Sequence, residues 1–256
     1  MSDVVLYEVA DRVALITLNR PEARNALNAE MRLQLKAAVN RADADDGVDV
    51  LILTGSDPAF CAGLDLKELG SGTRPVGDDD PLVNSPLPPT GKPVIGAVNG
   101  VAVTGGFEVA LNCSFLVASE HARFADTHAR VGVMPGWGLT VLLPQAIGVR
   151  RAREMSVTGN YVSAQEALAF GLVNHVVPHA ELIPFCRQLA ADIVTNNQRG
   201  VRQMLATYAE VVSTTAADGM AVEQRVANQW RATVDPAELE RRRQGVIDRG
   251  RQQTSQ

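Results

Sequence analysis

The amino-acid sequence predicts an α/β protein with an all-helical C-terminal region. Strand and helix patterns alternate along the chain as far as residue 178, which is typical of α/β folds. Residues 50–53 form a continuous apolar run, as expected of a strand whose sheet is covered on both faces. From residue 179 onward the patterns are helical only, so no further strand is expected there.

The first elements are predicted to be a hairpin, a helix and a buried strand. Apolar and polar residues alternate over residues 4–9 and 13–18, and Asp11-Arg12 lies between them as the turn. Asn28 is a favourable N-cap, and the apolar spacing after it predicts a helix over about 29–44. The apolar run at 50–53 follows as the third strand.

The remaining elements continue the alternation and then give way to helices. Residues 93–98 and 115–118 are predicted strands on either side of a helix at 106–112. Ser163 and Glu166 form a capping box for a short helix that ends at Gly171, and residues 172–177 return as a strand. The predicted C-terminal helices are 180–195, 201–213, 220–233 and 236–249. These are too polar to fold alone, so they must dock on the core or on another subunit.

Composition narrows the class of protein. The net charge of −5 argues against a nucleic-acid-binding protein. No uninterrupted apolar run approaches 18 residues, and the N-terminus lacks a signal-peptide pattern, so we expect no membrane span and a cytoplasmic location. Three scattered cysteines indicate reduced thiols. The four histidines form no metal-ligand motif, so we expect no metal.

The run NGVAVTGGFE at residues 99–108 is the most informative stretch for chemistry. Gly105 and Gly106 open a predicted helix, whose unpaired N–H groups and positive dipole end stabilise a nearby oxyanion. Glycines also allow a substrate to approach the backbone closely. Glu108 in the first turn is a candidate acid or base. The alternative is a tight strand-to-helix turn with a helix-stabilising glutamate.

A second loop with small residues follows the strand at 50–53. It has the sequence AFCAGLDLKEL at residues 59–69 and again leads into a helical pattern. Two loops that each present a backbone N–H are what a two-donor oxyanion hole requires. Cys61 lies in this loop, but the sequence shows no partner that would activate it as a nucleophile.

With both loops in place, the chain resembles the crotonase (enoyl-CoA hydratase/isomerase) superfamily. The matches span roughly residues 4–178 in the family's order. They are NRP at 19–21, NAL at 25–27, the two loops above, FADTHARVGVMPGWG at 124–138, TG at 158–159, SA at 163–164, EA at 166–167 and GLV at 171–173. The resemblance implies a ββα spiral core over residues 1–195. It also implies a helical region over 196–256 that forms trimers, often paired into hexamers.

The resemblance also implies an acyl-CoA thioester as the substrate. Leu64 and Gly105 match the family's two oxyanion donors, which act through their backbone N–H groups. The positions that match the family's substrate and CoA contacts are Arg24, Ala26, Ala62, Leu64, Asp65, Leu66, Gly105, Gly106 and Trp137. No cofactor is expected other than the CoA that the substrate carries.

The chain departs from the family at one catalytic position. Hydratases of this family usually carry two glutamates, and one of them corresponds to Glu108. The alignment of the segment 124–138 places His128 where the second glutamate is expected. His128 is suited to proton transfer near neutral pH and is a candidate substitute. Asp126 is a rival acid, and the remaining alternative is that His128 only packs.

The resemblance, together with Glu108, implies an enoyl-CoA hydratase that adds water to a trans-2-enoyl-CoA and gives a 3-hydroxyacyl-CoA. Two alternatives stay open: a double-bond isomerase or another reaction of this fold, and a non-catalytic acyl-CoA-binding protein. Trp137 stands where the family commonly has a small residue, so it either narrows the acyl pocket or packs in the core. The long segment at 70–91 is interpreted as a lid or as a disordered insertion.

Overall fold

The computed structural model describes residues 3–70, 87–212 and 214–231, together with residues 233, 235, 237, 242 and 243. Most of the segment interpreted as a lid, and most of the helix predicted at 236–249, lie outside the described residues. The chain divides into two compact units, Met1–Arg202 and Gln203–Gln256.

Strands and helices alternate through the first unit, as the sequence predicts. The strands are β1 Val5–Ala10, β2 Val13–Leu18, β3 Val50–Gly55, β4 Ala59–Cys61, β5 Val94–Val98, β6 Val101–Val103, β7 Phe115–Ser119, β8 Arg123–Ala125, β9 Val162–Ser163 and β10 His175–Val177. The helices of the chain are α1 Ala29–Ala44, α2 Leu66–Gly70, α3 Gly105–Leu111, α4 His128–Val131, α5 Leu139–Ile147, α6 Val149–Thr158, α7 Ala164–Phe170, α8 Leu182–Val194, α9 Gln198–Val211 and α10 Ala216–Arg231.

A six-stranded sheet in the order β1-β2-β3-β5-β7-β10 forms the frame of the first unit. The β1–β2 hairpin is antiparallel and the other neighbours are parallel. Asp11 and Arg12 both have positive φ, which matches the twist that a two-residue hairpin turn requires. All residues of β3 are buried, which confirms the prediction of a strand covered on both faces. On one face, α8 packs Leu182, Cys186 and Ala190 against this sheet.

A second sheet in the order β4-β6-β8-β9 was not predicted. Its strands have two or three residues, which is too short for a period-two pattern to show in the sequence. Strands β4, β6 and β8 are parallel to one another. Their carboxyl ends therefore lie at one edge of the sheet, and the loops that leave this edge build the site described below.

One predicted strand is shorter than expected. Leu172 and Val173 are buried, but strand pairing begins only at His175. The reason is the end of α7: Gly171 adopts the left-handed conformation there, and the N–H groups of Leu172 and Val173 both point to the carbonyl of Ala167. Those N–H groups close the helix and are not available to a sheet.

Helix α1 is anchored at both ends. At its start the Asn28 side chain accepts the N–H of Met31 at 2.9 Å, which confirms the predicted N-cap. At its end the buried Lys92 donates from Nζ to the carbonyls of Ala42 and Asp45, both at 2.7 Å. A cation at a helix C-terminus satisfies orphan carbonyls and interacts favourably with the helix dipole.

Replacing Lys92 with methionine is expected to lower the free energy of unfolding by about 2 kcal/mol, because two carbonyls lose a charged donor. Chemical denaturation followed by circular dichroism measures the change. Lys36→Met, at an exposed position of α1, is the matched control and is expected to change stability little. Equal stability of both variants would show that Lys92 contributes nothing as a cap.

The second unit contains most of α9 and all of α10. Arg225 of α10 forms an ion pair with Glu210 of α9. Within the residues that the structure describes, no helix is long and apolar enough to cross a membrane.

Candidate active site

The loop that follows β4 is held in place by the segment just before α1. Leu27 and Leu64 form an isolated parallel bridge. Within it, the N–H of Leu27 donates to the carbonyl of Gly63 at 2.7 Å, and the N–H of Asp65 donates to the carbonyl of Leu27 at 3.1 Å. In a parallel ladder the residue between those two contacts points its own N–H away from the partner. The bridge therefore fixes the direction of the Leu64 N–H without using it as a donor to Leu27.

The loop that follows β6 presents a second N–H. Gly105 is the first residue of α3, so its N–H has no acceptor within the helix. A Cβ built on Gly105 would lie 3.6 Å from the backbone nitrogen of Leu64, and one built on Gly63 would lie 3.3 Å from the nitrogen of Gly105. The two N–H groups that the sequence predicts as oxyanion donors therefore border one small space.

The backbone just before Gly105 is strained. Thr104 has φ 52 and ψ −122, a conformation that a β-branched residue rarely adopts. Its hydroxyl is hydrogen-bonded to the hydroxyl of Thr127 at 2.5 Å, and its N–H donates to the carbonyl of Ala125 at 3.2 Å. Because Thr127 directly precedes α4, these bonds tie the starts of α3 and α4 together.

Gly106 is required by packing inside the chain. A Cβ at this position would lie 2.2 Å from the carbonyl oxygen of Cys61, so only glycine lets α3 lie this close to β4. Cys61 itself is fully buried, and burial raises the pKa of its thiol to about 12. The thiol therefore stays protonated at neutral pH and is no nucleophile.

Glu108 is almost completely buried beside these two loops. Its Oε1 accepts the N–H of Trp137 at 2.7 Å and the N–H of Leu139 at 3.4 Å. These bonds hold one carboxylate oxygen and aim the other, Oε2, at His128, where it lies 3.4 Å from Nε2. The structure thus brings Glu108 and His128 together, 20 residues apart in sequence, because β6 and β8 end side by side.

His128 lies between two carboxylates. Its Nδ1 is 2.6 Å from Oδ1 of Asp126, and its Nε2 faces Glu108. Burial opposes protonation of the ring, but hydrogen bonds and attraction from Asp126 and Glu108 outweigh it and raise the pKa of His128 to about 9. At neutral pH the site therefore holds an imidazolium between two carboxylate positions.

Asp126 contacts His128 rather than Glu108. Burial disfavours its charge, but hydrogen bonds from His128 and Ser156 outweigh that effect and lower the pKa of this carboxyl. Sequence reasoning considered Asp126 only as a rival of His128 and missed the bond between them. The signal available was an Asp two residues before a His at a helix start, where a short polar side chain folds back onto the backbone.

Trp137 lies against the second donor. Its ring atom Cζ3 is 2.8 Å from the position of a Cβ on Gly105. Its backbone is held from both sides, since its N–H donates to Glu108 and its carbonyl accepts from Asn112 at 3.0 Å. Trp137 is half-buried and forms one wall of the space beside the two N–H groups.

The positions matched to CoA contacts cluster around the Leu27–Leu64 bridge. Arg24 is exposed, and its carbonyl accepts the N–H of Ala62 at 3.0 Å. Asp65 is engaged by Arg20, whose two terminal nitrogens both lie 3.1 Å from Oδ2, so it tethers the loop. Ala26 is half-buried and Leu66 is exposed. Sequence reasoning missed the role of Arg20, although it lies in the NRP motif.

No group of three or more histidine, cysteine or acidic side chains able to hold a metal ion occurs in the described portion of the chain.

Comparison with known proteins gives consistent matches. The family described as enoyl-CoA hydratase/isomerase matches residues 8–245. A probable peroxisomal enoyl-CoA hydratase of Arabidopsis thaliana is 36% identical over 246 residues, which cover 95% of this chain and 92% of that protein. A crotonyl-CoA hydratase of Syntrophomonas wolfei is 34% identical over 255 residues, 96% of this chain and 98% of that protein.

Solved structures show the same likeness. The crystal structure of an enoyl-CoA hydratase from Mycobacterium tuberculosis is 52% identical, with a TM-score of 0.77 over 90% of this chain and 100% of that chain. The enoyl-CoA hydratase structure from Mycobacterium marinum has a TM-score of 0.86 at 32% identity, over 94% of this chain and 95% of that chain. The predicted ββα architecture is confirmed by these neighbours.

Proposed function

Since this chain belongs to the enoyl-CoA hydratase/isomerase family, we propose that it adds water to a trans-2-enoyl-CoA and forms the 3-hydroxyacyl-CoA, with Glu108 and His128 as its acid/base pair. The single observation that carries this assignment is the contact between Glu108 Oε2 and His128 Nε2, at 3.4 Å, beside the two N–H groups of Leu64 and Gly105. The addition of water to an enoyl thioester needs a base that takes a proton from water and an acid that protonates Cα. It also needs an oxyanion hole that stabilises the enolate.

The two N–H groups bind the thioester carbonyl oxygen. When a nucleophile adds at Cβ, the electrons of the double bond move to this oxygen and an enolate forms. Hydrogen bonds from Leu64 and Gly105 strengthen as the charge develops, so they stabilise the transition state more than the substrate. Glu108 and His128 are buried beside this position, and a charge that is less screened by water is stabilised more strongly by hydrogen bonds.

Glu108 activates the water. Its carboxylate takes one proton from the water molecule while the water oxygen bonds to Cβ. The N–H groups of Trp137 and Leu139 hold Oε1, so Oε2 is the oxygen that accepts the proton. Buried carboxylates held in this way keep a fixed direction toward the reacting atoms.

His128 supplies the proton that ends the reaction. Because its pKa lies at about 9, it starts as an imidazolium at neutral pH and donates from Nε2 to Cα of the enolate. The protonated Glu108 then returns its proton across the direct contact to Nε2. One water has been added, and both side chains are back in their initial state.

The remaining matched positions are proposed to bind the substrate. Arg24, Ala26, Ala62, Asp65 and Leu66 border the proposed path of the CoA moiety. Trp137 is the proposed wall of the acyl pocket, because its ring covers Gly105. No cofactor other than the substrate's CoA is required by this reaction.

The helical region 196–256 is proposed to assemble the chain into a trimer or a hexamer. Support comes from the exposed apolar side chains of Met204, Tyr208, Val212 and Met220 in the second unit, since a monomer rarely leaves such a set uncovered. Light scattering on the purified protein is expected to give a mass of three or six chains. A monomeric mass at assay concentrations would contradict this assembly.

The activity test is the loss of enone absorbance when purified protein is mixed with crotonyl-CoA and with a longer 2-enoyl-CoA. Hydration removes the conjugated double bond, so absorbance falls and 3-hydroxyacyl-CoA appears by mass spectrometry. Intact CoA-ester binding without any absorbance loss would contradict the hydratase assignment. A gain of enone absorbance from a 3-enoyl-CoA, without a loss from a 2-enoyl-CoA, would point to an isomerase, in which one unprotonated base moves a proton from Cα to Cγ.

A further inference from the structure

One carboxylate oxygen of Asp126 accepts two hydrogen bonds from His128, one from its ring and one from its backbone. Oδ1 of Asp126 accepts the ring Nδ1–H at 2.6 Å and the backbone N–H of His128 at 3.1 Å. A ring bonded to the same oxygen as its own backbone has little freedom to rotate. Nε2 is therefore directed at Glu108, on the opposite side of the ring.

Asp126 and His128 are shielded from solvent, and few charged groups of the described residues face them. The exposed fraction is 2% for Asp126 and 5% for His128. Among the described residues, the charged groups that face the ring are Asp126, directly after β8, and Glu108, on α3. Helix α6 packs against α4 and contributes Ser156, whose side chain is hydrogen-bonded to Asp126.

Building on the proposed function, we propose that Asp126 is a positioning residue for His128: it retains the proton on Nδ1, so that only Nε2 exchanges a proton with the substrate and Glu108. A neutral imidazole carries a single N–H, and a carboxylate acceptor keeps that hydrogen on the nitrogen it faces. After His128 has protonated Cα, its Nε2 is thus left with a lone pair directed at the protonated Glu108. The proton on Glu108 therefore returns to Nε2, and both side chains regain their initial protonation states.

The contact between Asp126 and His128 also makes His128, rather than Glu108, the acid of the pair. With Asp126 ionised beside it, His128 stays protonated below a pKa of about 9, so the wild-type kcat is expected to fall as pH rises through that value. Without the negative charge, the pKa of His128 falls and the acid is lost at lower pH.

The test is the variant Asp126→Asn, which keeps the shape of the side chain and removes its charge. We expect the basic limb of the kcat–pH profile to move down by at least about 1 pH unit. The pH titration of the His128 ring, followed by NMR and assigned with His128→Gln, is expected to move down equally. Asp57→Asn is the matched control, because Asp57 also contacts a histidine, His179 Nε2, at 3.1 Å. It is expected to leave both readouts of His128 unchanged.

The outcomes separate this inference from the proposed function. If the ring titration moves and the basic limb does not, Asp126 positions His128, but the proposed role of His128 as the acid fails. An unmoved ring titration in Asp126→Asn would overturn the inference whatever the activity. If that variant does not fold, the wild-type spectrum decides: a ring that keeps its proton on Nδ1 when it becomes neutral supports the inference, and a proton left on Nε2 overturns it.

Discussion

Glu108→Gln is expected to lower kcat for crotonyl-CoA by a factor of about 10²–10⁴. Glutamine keeps a carbonyl oxygen that can accept the N–H groups of Trp137 and Leu139, so the loop is expected to hold its shape. What the variant loses is the oxygen that takes a proton from water. Steady-state assays at saturating substrate measure the loss, and KM is expected to change far less than kcat.

The unchanged fold of this variant has to be shown beside its activity. Thermal unfolding and CoA-ester affinity are the two controls, and both are expected to stay close to the wild type. A Glu108→Gln protein that folds, binds and turns over at the wild-type rate would contradict the role of Glu108 as the base.

Gly105→Ala is expected to lower kcat/KM by about 10²–10³, comparable to the loss of one oxyanion donor. The added methyl would lie 2.8 Å from the ring of Trp137 and 3.6 Å from the nitrogen of Leu64. It therefore intrudes between the two N–H groups and forces the indole to move. The measurement is the rate of crotonyl-CoA hydration over a range of substrate concentrations.

Gly136→Ala is the matched control for this prediction. A Cβ at Gly136 would meet no atom of the described residues within 4 Å, although the residue adjoins Trp137. Its rate is expected to remain near the wild type. Equal rates for the two alanine variants would mean that the space bordered by Leu64 and Gly105 does not bind the thioester carbonyl.

Much of the fold follows from local sequence patterns. The hairpin β1–β2, helix α1 and strands β3, β5 and β7 have enough residues for an apolar period to appear, and the structure confirms them. The second sheet has no such signal, because its strands are two or three residues long. Its order depends on packing: Gly106, for example, is needed only because α3 lies directly on the carbonyl of Cys61.

The site was predictable in part for the same reason. Glu108 and the two donors lie in or beside two short segments of small residues that are visible in the sequence, and the resemblance to a family indicated His128. The bond from Asp126 to His128 could not be predicted, since it depends on where β8 ends and how α4 begins. Lys92 was missed because its partners, the carbonyls that end α1, lie about 50 residues earlier in the chain.

A pair made of Glu108 and His128 holds its proton differently from a pair of two glutamates. Two carboxylates at 3.4 Å would repel each other, and one would have to take up a proton before acting as the acid. Here Asp126 and Glu108 favour the protonated ring of His128, so the proposed acid already carries its proton at neutral pH. In the proposed reaction, the departure from two glutamates keeps an acid/base pair but gives it a different charge arrangement.

The most direct test of this account is the turnover of His128→Gln with crotonyl-CoA, measured beside the wild type at neutral pH. Glutamine cannot donate a proton to an enolate, so kcat is expected to fall by about 10² or more while CoA-ester binding persists. A His128→Gln protein that retains wild-type turnover would contradict the account, because hydration would then proceed with Glu108 alone or with Asp126 as the second acid/base group.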